Sequence, residues 1–402
     1  MTAAGAAATS AVAAASWPLP LAAAAPSPDV APLPPALPAE VFRERQARLR
    51  AAAKVRGLAA LFVTPSTNLA WSANLAIWRS ERLTALILRT DGPAVLVTPS
   101  FEAENHRKDA AVDEIVSWNE DEDPMALAVR ALGGAKTVGI EGSTAYHTAA
   151  QLSAAAGAAL QCSDATDVFD PLRAVKSAAE QDFIRDAARR TIAAIEAVHR
   201  RLKLGLTESA VSTLLEQEFQ ALGVHGEGLV QFGPSSAFPH GIPGDRKLAA
   251  GDVVLIDAGC KVRGYTSDVT RTVAFGRPAD DVRKVYDLVA RAQRAGVEAL
   301  VAGASGADVD RAARTVIEAA GYGAAFTHRL GHGLGMDGHE PPYLVRVNTA
   351  PLVAGNTVTV EPGVYLPGRF GVRIEDDFAV REAAPADALS ARPGALTVLP
   401  VN

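Results

Sequence analysis

The chain is predicted to be an α/β (α+β) protein, with a small α/β N-terminal domain followed by a larger C-terminal domain that contains an internal pseudo-twofold duplication. Three observations predict this. Apolar runs of strand and helix length alternate between Val41 and about Pro171. Residues 251–259 (GDVVLIDAG) and 355–363 (GNTVTVEPG) share one layout: a Gly and a short polar residue, four strand-forming residues, an acid and a closing Gly. The helical stretches upstream, residues 205–223 and 303–321, match in the same way. Thr207 and Ser305 stand at N-cap positions, Val211 matches Val309, Phe219 matches Ile317, and Gly223 and Gly321 suit left-handed C-caps.

At 402 residues the chain is long for a single core. With 49% hydrophobic residues, 21% charged residues and a formal net charge of −6, it reads as a soluble globular protein without general attraction to nucleic acid or an anionic membrane. Cys162 and Cys260 lie far apart without metal-binding spacing, and both are read as core thiols.

Residues 1–40 are rich in Ala and Pro, with Asp29 and Glu40 the only charges. They are expected to stay outside the fold, as a disordered tail or as the remnant of an export signal whose charged start lies upstream. The chain as written is cytoplasmic, and periplasmic or secreted if the tail belongs to such a signal. The first domain then spans residues 41–172. Residues 41–55, 123–132 and 144–156 read as helices, and residues 58–63, 84–88, 94–97 and 137–140 as strands. The acidic run at 119–123 is expected to be a solvated loop, with His106 and His147 on the surface. Residues 171–176 form the boundary. Ser177 and Glu180 supply a capping box for a long helix with Phe183, Ile184, Ile192, Ile195 and Leu202 on one face, and the second domain runs over residues 177–402.

In that domain Asp257 closes the apolar run Val253-Val254-Leu255-Ile256, and Asp268 follows on the returning strand; the duplication matches them with Glu361 and Glu375. A carboxylate at the end of an apolar strand needs a cation, a metal or several hydrogen-bond donors. Four acids brought together would be forced to protonate unless neutralised, and two divalent cations cancel their charge where one would not. His240 (in FPHG), His332 and His339 (in GHGLGMDGHEPP) precede the acid-bearing strands, and the glycines beside His332 permit close backbone approach. His225 and His328 are read as structural or surface residues. Four carboxylates and one imidazole suit Mn2+, Co2+ or Zn2+.

The segments IDAG with SDVTRT, GHGLG with HEPP, VEPG and GVRIEDD resemble the signature of the M24 metallopeptidases, the pita-bread fold family of methionine aminopeptidase, aminopeptidase P and prolidase. The resemblance spans about residue 177 to the C-terminus. The preceding domain resembles the creatinase-type N-terminal domain that aminopeptidase P and prolidase carry. The resemblance implies that Asp257 chelates one metal, Asp268 and Glu375 bridge two, and His332 and Glu361 complete the shell, with Mn2+ the expected ion. It implies substrate-binding roles for His240 and His339, a general-base role for Glu361, and positions for Thr270 and Arg373 behind the acids. Because no ligand is missing, creatine hydrolysis and a metal-free binding paralogue are disfavoured. GHGLG and PGVYLPGRFGVRIEDD are prolidase-like, which implies an Xaa-Pro dipeptidase acting on small peptides with proline second, in a homodimer; Xaa-Pro aminopeptidase is the alternative. One departure is Tyr343, where some prolidases have an Arg that holds the dipeptide carboxylate. Arg346 is the expected substitute.

Overall fold

The computed structural model describes residues 31–383 and 385–401, so the tail expectation for residues 1–30 lies outside the described residues. In chain order the first domain comprises α1 (Ala39–Val55), β1 (Ala60–Val63), α2 (Thr67–Ala73), β2 (Ala85–Arg89), β3 (Ala94–Pro99), α3 (Ser100–Asp109), β4 (Glu114–Trp118), α4 (Pro124–Ala131), β5 (Thr137–Ile140), α5 (Tyr146–Ala156), β6 (Gln161–Asp164) and α6 (Thr166–Ala174). The strands form one mixed sheet in the order β4-β3-β2-β1-β5-β6. Period-two alternation decides its faces. Leu61, Val63, Leu86 and Leu88 pack with Leu49 and Ala53 of α1 and Phe169 of α6, whereas Ala60, Phe62, Ala85 and Ile87 pack with Ala128, Leu132 and Leu152. Each large side chain so buried contributes about 1.5–3 kcal/mol.

Three expectations for this domain need correction. His106 is not a surface residue: α3 lays it against β3, where it is 9% exposed and its Nδ1 lies 3.0 Å from Thr98 Oγ1. Cys162 is not a core thiol, because it sits on the exposed edge strand β6. The segment before Val41 does not all stand apart. Arg190 Nη2 donates to Ala31 O at 2.7 Å, Arg263 Nε donates to Pro34 O at 2.7 Å, and Leu37 packs on the core of the second domain. The acidic run at 119–123 and His147 are exposed as expected, and Asp123 also caps α4 by accepting from the Met125 and Ala126 amides.

The second domain contains α7 (Ala178–Arg201), α8 (Glu208–Ala221), β7 (Gly226–Phe232), β8 (Val253–Val262), β9 (Tyr265–Thr266) and β10 (Val269–Phe275) in its first half. The second half has α9 (Asp280–Ala299), α10 (Gly306–Ala319), β11 (Gly331–Gly333), β12 (Glu340–Leu344), β13 (Thr357–Val360), β14 (Gly363–Leu366), β15 (Phe370–Arg373), β16 (Asp376–Ala379), β17 (Asp387–Ala388) and β18 (Val398–Leu399). One sheet runs β18-β10-β8-β7, the other β12-β11-β13-β16-β17, with β14 and β15 forming a separate hairpin. The Ser177–Glu180 capping box forms at the start of α7.

The duplication holds at the level of single hydrogen bonds. Gly251 and Gly355 have φ of 89° and 91°, a left-handed conformation that favours glycine. The polar residue after each accepts from the amide three positions back, Asp252 from Ala249 and Asn356 from Val353, both at 2.9 Å. Thr207 and Ser305 cap α8 and α10. The halves join where β15 meets β10: Thr272 Oγ1 donates to Arg373 O at 2.7 Å.

Candidate metal centre

Strand register brings the four acids to one place. Asp257 lies within β8 opposite Thr270 of β10, and Asp268 immediately precedes β10. Glu361 immediately follows β13 and Glu375 immediately precedes β16. His332 is the middle residue of β11, whose Gly333 pairs with Val358 of β13. A side chain at Gly331 would collide with the Thr359 carbonyl, and one at Gly333 with the Glu340 and Pro341 carbonyls, so the flanking glycines are what let His332 approach. These residues line a cavity of about 430 Å³ together with Pro239, His240, His328, Arg329, His339 and Arg373.

Ligand-type atoms converge in three overlapping groups, each within 4.8 Å: Asp257, Asp268 and Glu375; His332, Glu361 and Glu375; and Asp268, His332 and His339. His332 Nε2 lies 3.3 Å from Glu361 Oε1 and 3.7 Å from Asp268 Oδ2. Its Nδ1 faces the Gly333 carbonyl at 3.0 Å, and a carbonyl only accepts, so the proton is on Nδ1. The Nε2 lone pair therefore points at two carboxylates. Lone pairs facing lone pairs are stable only with a cation or extra protons between them.

The electrostatics agree. Burial, reinforced by Asp257, Asp377 and Glu361, raises the Asp268 carboxyl well above its usual range. Burial and then Asp268 do the same to Glu375, and burial pushes Glu361 up to about 8. Burial, with His339 nearby, lowers His332 to about 3. Asp268, Glu361, Glu375 and His332 are all pushed towards their neutral forms, as expected of a site built for cations. Hard oxygen donors with one imidazole nitrogen fit a pair of divalent cations.

Thr270 and Arg373 both hydrogen-bond to the acids. Thr270 Oγ1 donates to Glu375 Oε2 at 2.6 Å, Arg373 Nη2 donates to Asp257 Oδ2 at 2.6 Å, and Arg373 Nε donates to Thr270 Oγ1 at 3.0 Å. The structure does not bring Tyr343 and Arg346 into this cavity. Arg346 is exposed and faces Glu318 at 3.4 Å and Asp310 at 3.9 Å, two acids on α10 that draw it away. Tyr343 instead lies under the guanidinium of Arg329, 4.5 Å from ring centroid to Cζ.

Three site residues escaped the sequence reading. His328 is neither surface nor remote: its Nε2 lies 2.8 Å from Tyr365 Oη and its Nδ1 4.0 Å from Glu361 Oε2, and burial lowers it to about 4. Tyr365 Oη in turn accepts from Arg373 Nη1 at 2.9 Å. Arg329 Nη2 lies 3.3 Å from His339 Nδ1, and among the described residues no carboxylate lies within ion-pair distance of it. The usable signal was their spacing: His328 and Arg329 precede His332 on the approach to β11.

Residues 182–382 match metallopeptidase family M24. The chain belongs to that family. Residues 45–175 match the creatinase/prolidase N-terminal domain. A probable dipeptidase PepE from Mycobacterium bovis is 38% identical over 377 residues, which cover 90% of this chain and 98% of the relative. Among solved structures, dipeptidase PepE from Mycobacterium ulcerans is 38% identical with a TM-score of 0.84, covering 91% of this chain and 100% of that one. Prolidase from Thermococcus sibiricus is 30% identical with a TM-score of 0.82, covering 89% and 99%. As an M24 peptidase with this fold, the chain is a metal-dependent hydrolase, and it carries clusters of carboxylate and histidine ligand-type atoms. No helix among the described residues is long and apolar enough to cross a membrane.

Proposed function

We propose that this M24 peptidase is a dinuclear-metal Xaa-Pro dipeptidase of prolidase type. The observation that carries the reading is the convergence of Asp257, Asp268, Glu361, Glu375 and His332 around one cavity, with Asp268, Glu361 and Glu375 pushed towards protonation by their burial. Asp257 would hold one ion, Asp268 and Glu375 would bridge to a second, and His332 and Glu361 would complete its shell, with Mn2+ preferred over Co2+ and Zn2+. Two such ions supply a water acidified towards pKa about 7 and a Lewis acid for the scissile carbonyl.

The remaining work falls to the protein's own side chains. Glu361, at the cavity wall, takes the proton from the attacking water and returns it to the proline nitrogen as it leaves. His339 and His240 face the cavity from opposite segments and donate to the oxygen that gains charge, an effect of about 3 kcal/mol for one such donor. Thr270 and Arg373 hold Glu375 and Asp257 in place. Arg329, with its free guanidinium beside His339, is the group suited to grip the carboxylate of a dipeptide, the task expected of Arg346. A homodimer is the assembly we propose.

A second reading, Xaa-Pro aminopeptidase, is favoured by one observation: a larger hollow of about 760 Å³ shares Asp257 and Asp268 with the site, leaving space for a longer chain. Hydrolysis of Gly-Pro and Gly-Pro-Ala by the Mn-loaded chain separates the two. A preference of about tenfold or more for Gly-Pro is expected. The reverse preference would make the enzyme an aminopeptidase, and turnover of neither by fully metallated protein would make it a binding protein.

A further inference from the structure

Between His332 and His339 the chain passes through Leu334-Gly335-Met336-Asp337-Gly338, a segment whose two glycines leave it little intrinsic stiffness. His339 itself is exposed, so packing alone does not fix its ring. Glu340, next to it, and Asp337, two positions before it, are held firmly, and the holding groups come from the other domain and the linker. Arg173, at the end of α6, donates from Nη2 to Glu340 Oε2 and to Asp337 Oδ2, both at 2.6 Å. Lys176 Nζ donates to Glu340 Oε1 at 2.5 Å. Thr67 Oγ1 of α2 donates to Asp337 Oδ1 at 2.5 Å, and Asn68 Oδ1 accepts from Arg173 Nη1 at 2.9 Å. The side chains of Arg173, Lys176 and Glu340 are 8%, 1% and 6% exposed.

The linker is anchored in turn. Asn356, the polar residue of the second repeat, donates to Ala174 O at 3.0 Å, and the Lys176 amide donates to Gly355 O at 2.8 Å. Buried ion pairs add little net stability compared with apolar packing of the same volume. What a two-oxygen, two-cation grip on Glu340 does supply is a fixed position and orientation for the residue next to His339. A group acting on a developing charge loses much of its effect when displaced by about 1 Å.

We propose that Glu340 and Asp337, clamped by Arg173, Lys176 and Thr67, are positioning residues that set the His339 imidazole over the metal centre, so that the N-terminal domain and linker tune the active site of their own subunit. The inference rests on the assignment of His339 as a donor to the substrate. Its test compares Glu340→Gln, His339→Ala and the double variant in the Mn-loaded full chain, reading metal content, kcat and KM for Gly-Pro, and amide hydrogen exchange across residues 333–340.

Glu340→Gln is expected to keep the wild-type metal content, lower kcat about tenfold or more with KM changed less than threefold, and speed exchange in residues 333–340 but not around Asp257 or Glu375. In the His339→Ala background it should lower kcat no further, a masking that a purely structural ion pair would not show. Equal losses of kcat in both backgrounds, or no loss in either, would overturn the proposal. If Glu340→Gln does not fold, Asp337→Asn replaces it, since that side chain is 40% exposed; a loss of about threefold, again masked by His339→Ala, is expected, and an unmasked or absent loss rejects the clamp. If the wild-type chain leaves Gly-Pro intact, the functional reading fails, and the exchange measurement alone decides the clamp: unchanged exchange at residues 333–340 rejects it.

Discussion

In the first half of the catalytic domain Asp257 and Asp268 stand on and beside β8 and β10; in the second half Glu361 and Glu375 occupy the matching places around β13 and β16, each longer by one methylene. Beyond these acids the halves diverge. His328, Arg329, His332, His339, Tyr365 and Arg373 all come from the second half, whereas the first contributes His240 and Thr270. The halves are also braced differently, the first by residues 31–37 through Arg190 and Arg263, the second by the interdomain linker. On the proposed assignment the charge that would hold metal is shared evenly between the repeats, and most of the groups that would handle protons and substrate come from one of them.

The even sharing of charge is the part most easily broken. Asp268→Ala and Glu375→Ala, one from each half, should each lose at least one ion and reduce activity to near background, about 1000-fold or more; elemental analysis showing both ions retained in either variant would end the bridging assignment. The concentration of proton handling in the second half predicts that His339→Ala keeps both ions yet lowers kcat roughly 100-fold. His240→Ala serves as the comparison, and an equal loss there would show the task divided between the halves.

Proton release on metal binding sharpens the contrast further. In the metal-free protein burial pushes Glu361 up to about 8, so it carries a proton at pH 7 that an arriving cation must expel. Apparent metal affinity should therefore rise between pH 6 and pH 9, and titration at pH 7 should release at least one proton per subunit, read as a heat that varies with the ionisation enthalpy of the buffer. Binding heats independent of buffer would show that Glu361 is already ionised. The smallest effect concerns the brace on the first half. A chain beginning at Val41 should melt about 2–4 °C below one beginning at Ala31, with kcat unchanged, because it loses two hydrogen bonds and the packing of Leu37. Equal melting temperatures would make that contact incidental.

The acids and the duplicated frame were legible in the sequence because both follow from local chemistry repeated at a fixed offset. Gly251 and Gly355, Thr207 and Ser305, and the four carboxylates carry their signal within a few residues. Tyr365 did not, since its relation to the site arises only when its hydroxyl meets Arg373 and His328 in the folded chain, and His328 and Arg329 carried only their nearness to His332. The same limit explains His106 and Cys162. Whether a small polar residue is buried depends on which strand is an edge and which helix covers it, and α3 and β6 lack an apolar period from which to read that. Arg346 was misjudged for the converse reason: proximity in sequence to His339 counted for less than the pull of Asp310 and Glu318 on the neighbouring helix.

Arg373 reaches back across the duplication to hold Asp257 from 116 positions away in sequence. A contact spanning so much chain forms late in folding, after the loop between its ends has closed. Until then the first half presents only Asp257 and Asp268, whereas the second presents His332, Glu361 and Glu375. On the proposed ligand set the full centre is complete only once the two halves have met, so a nascent or partly folded chain is expected not to hydrolyse peptides.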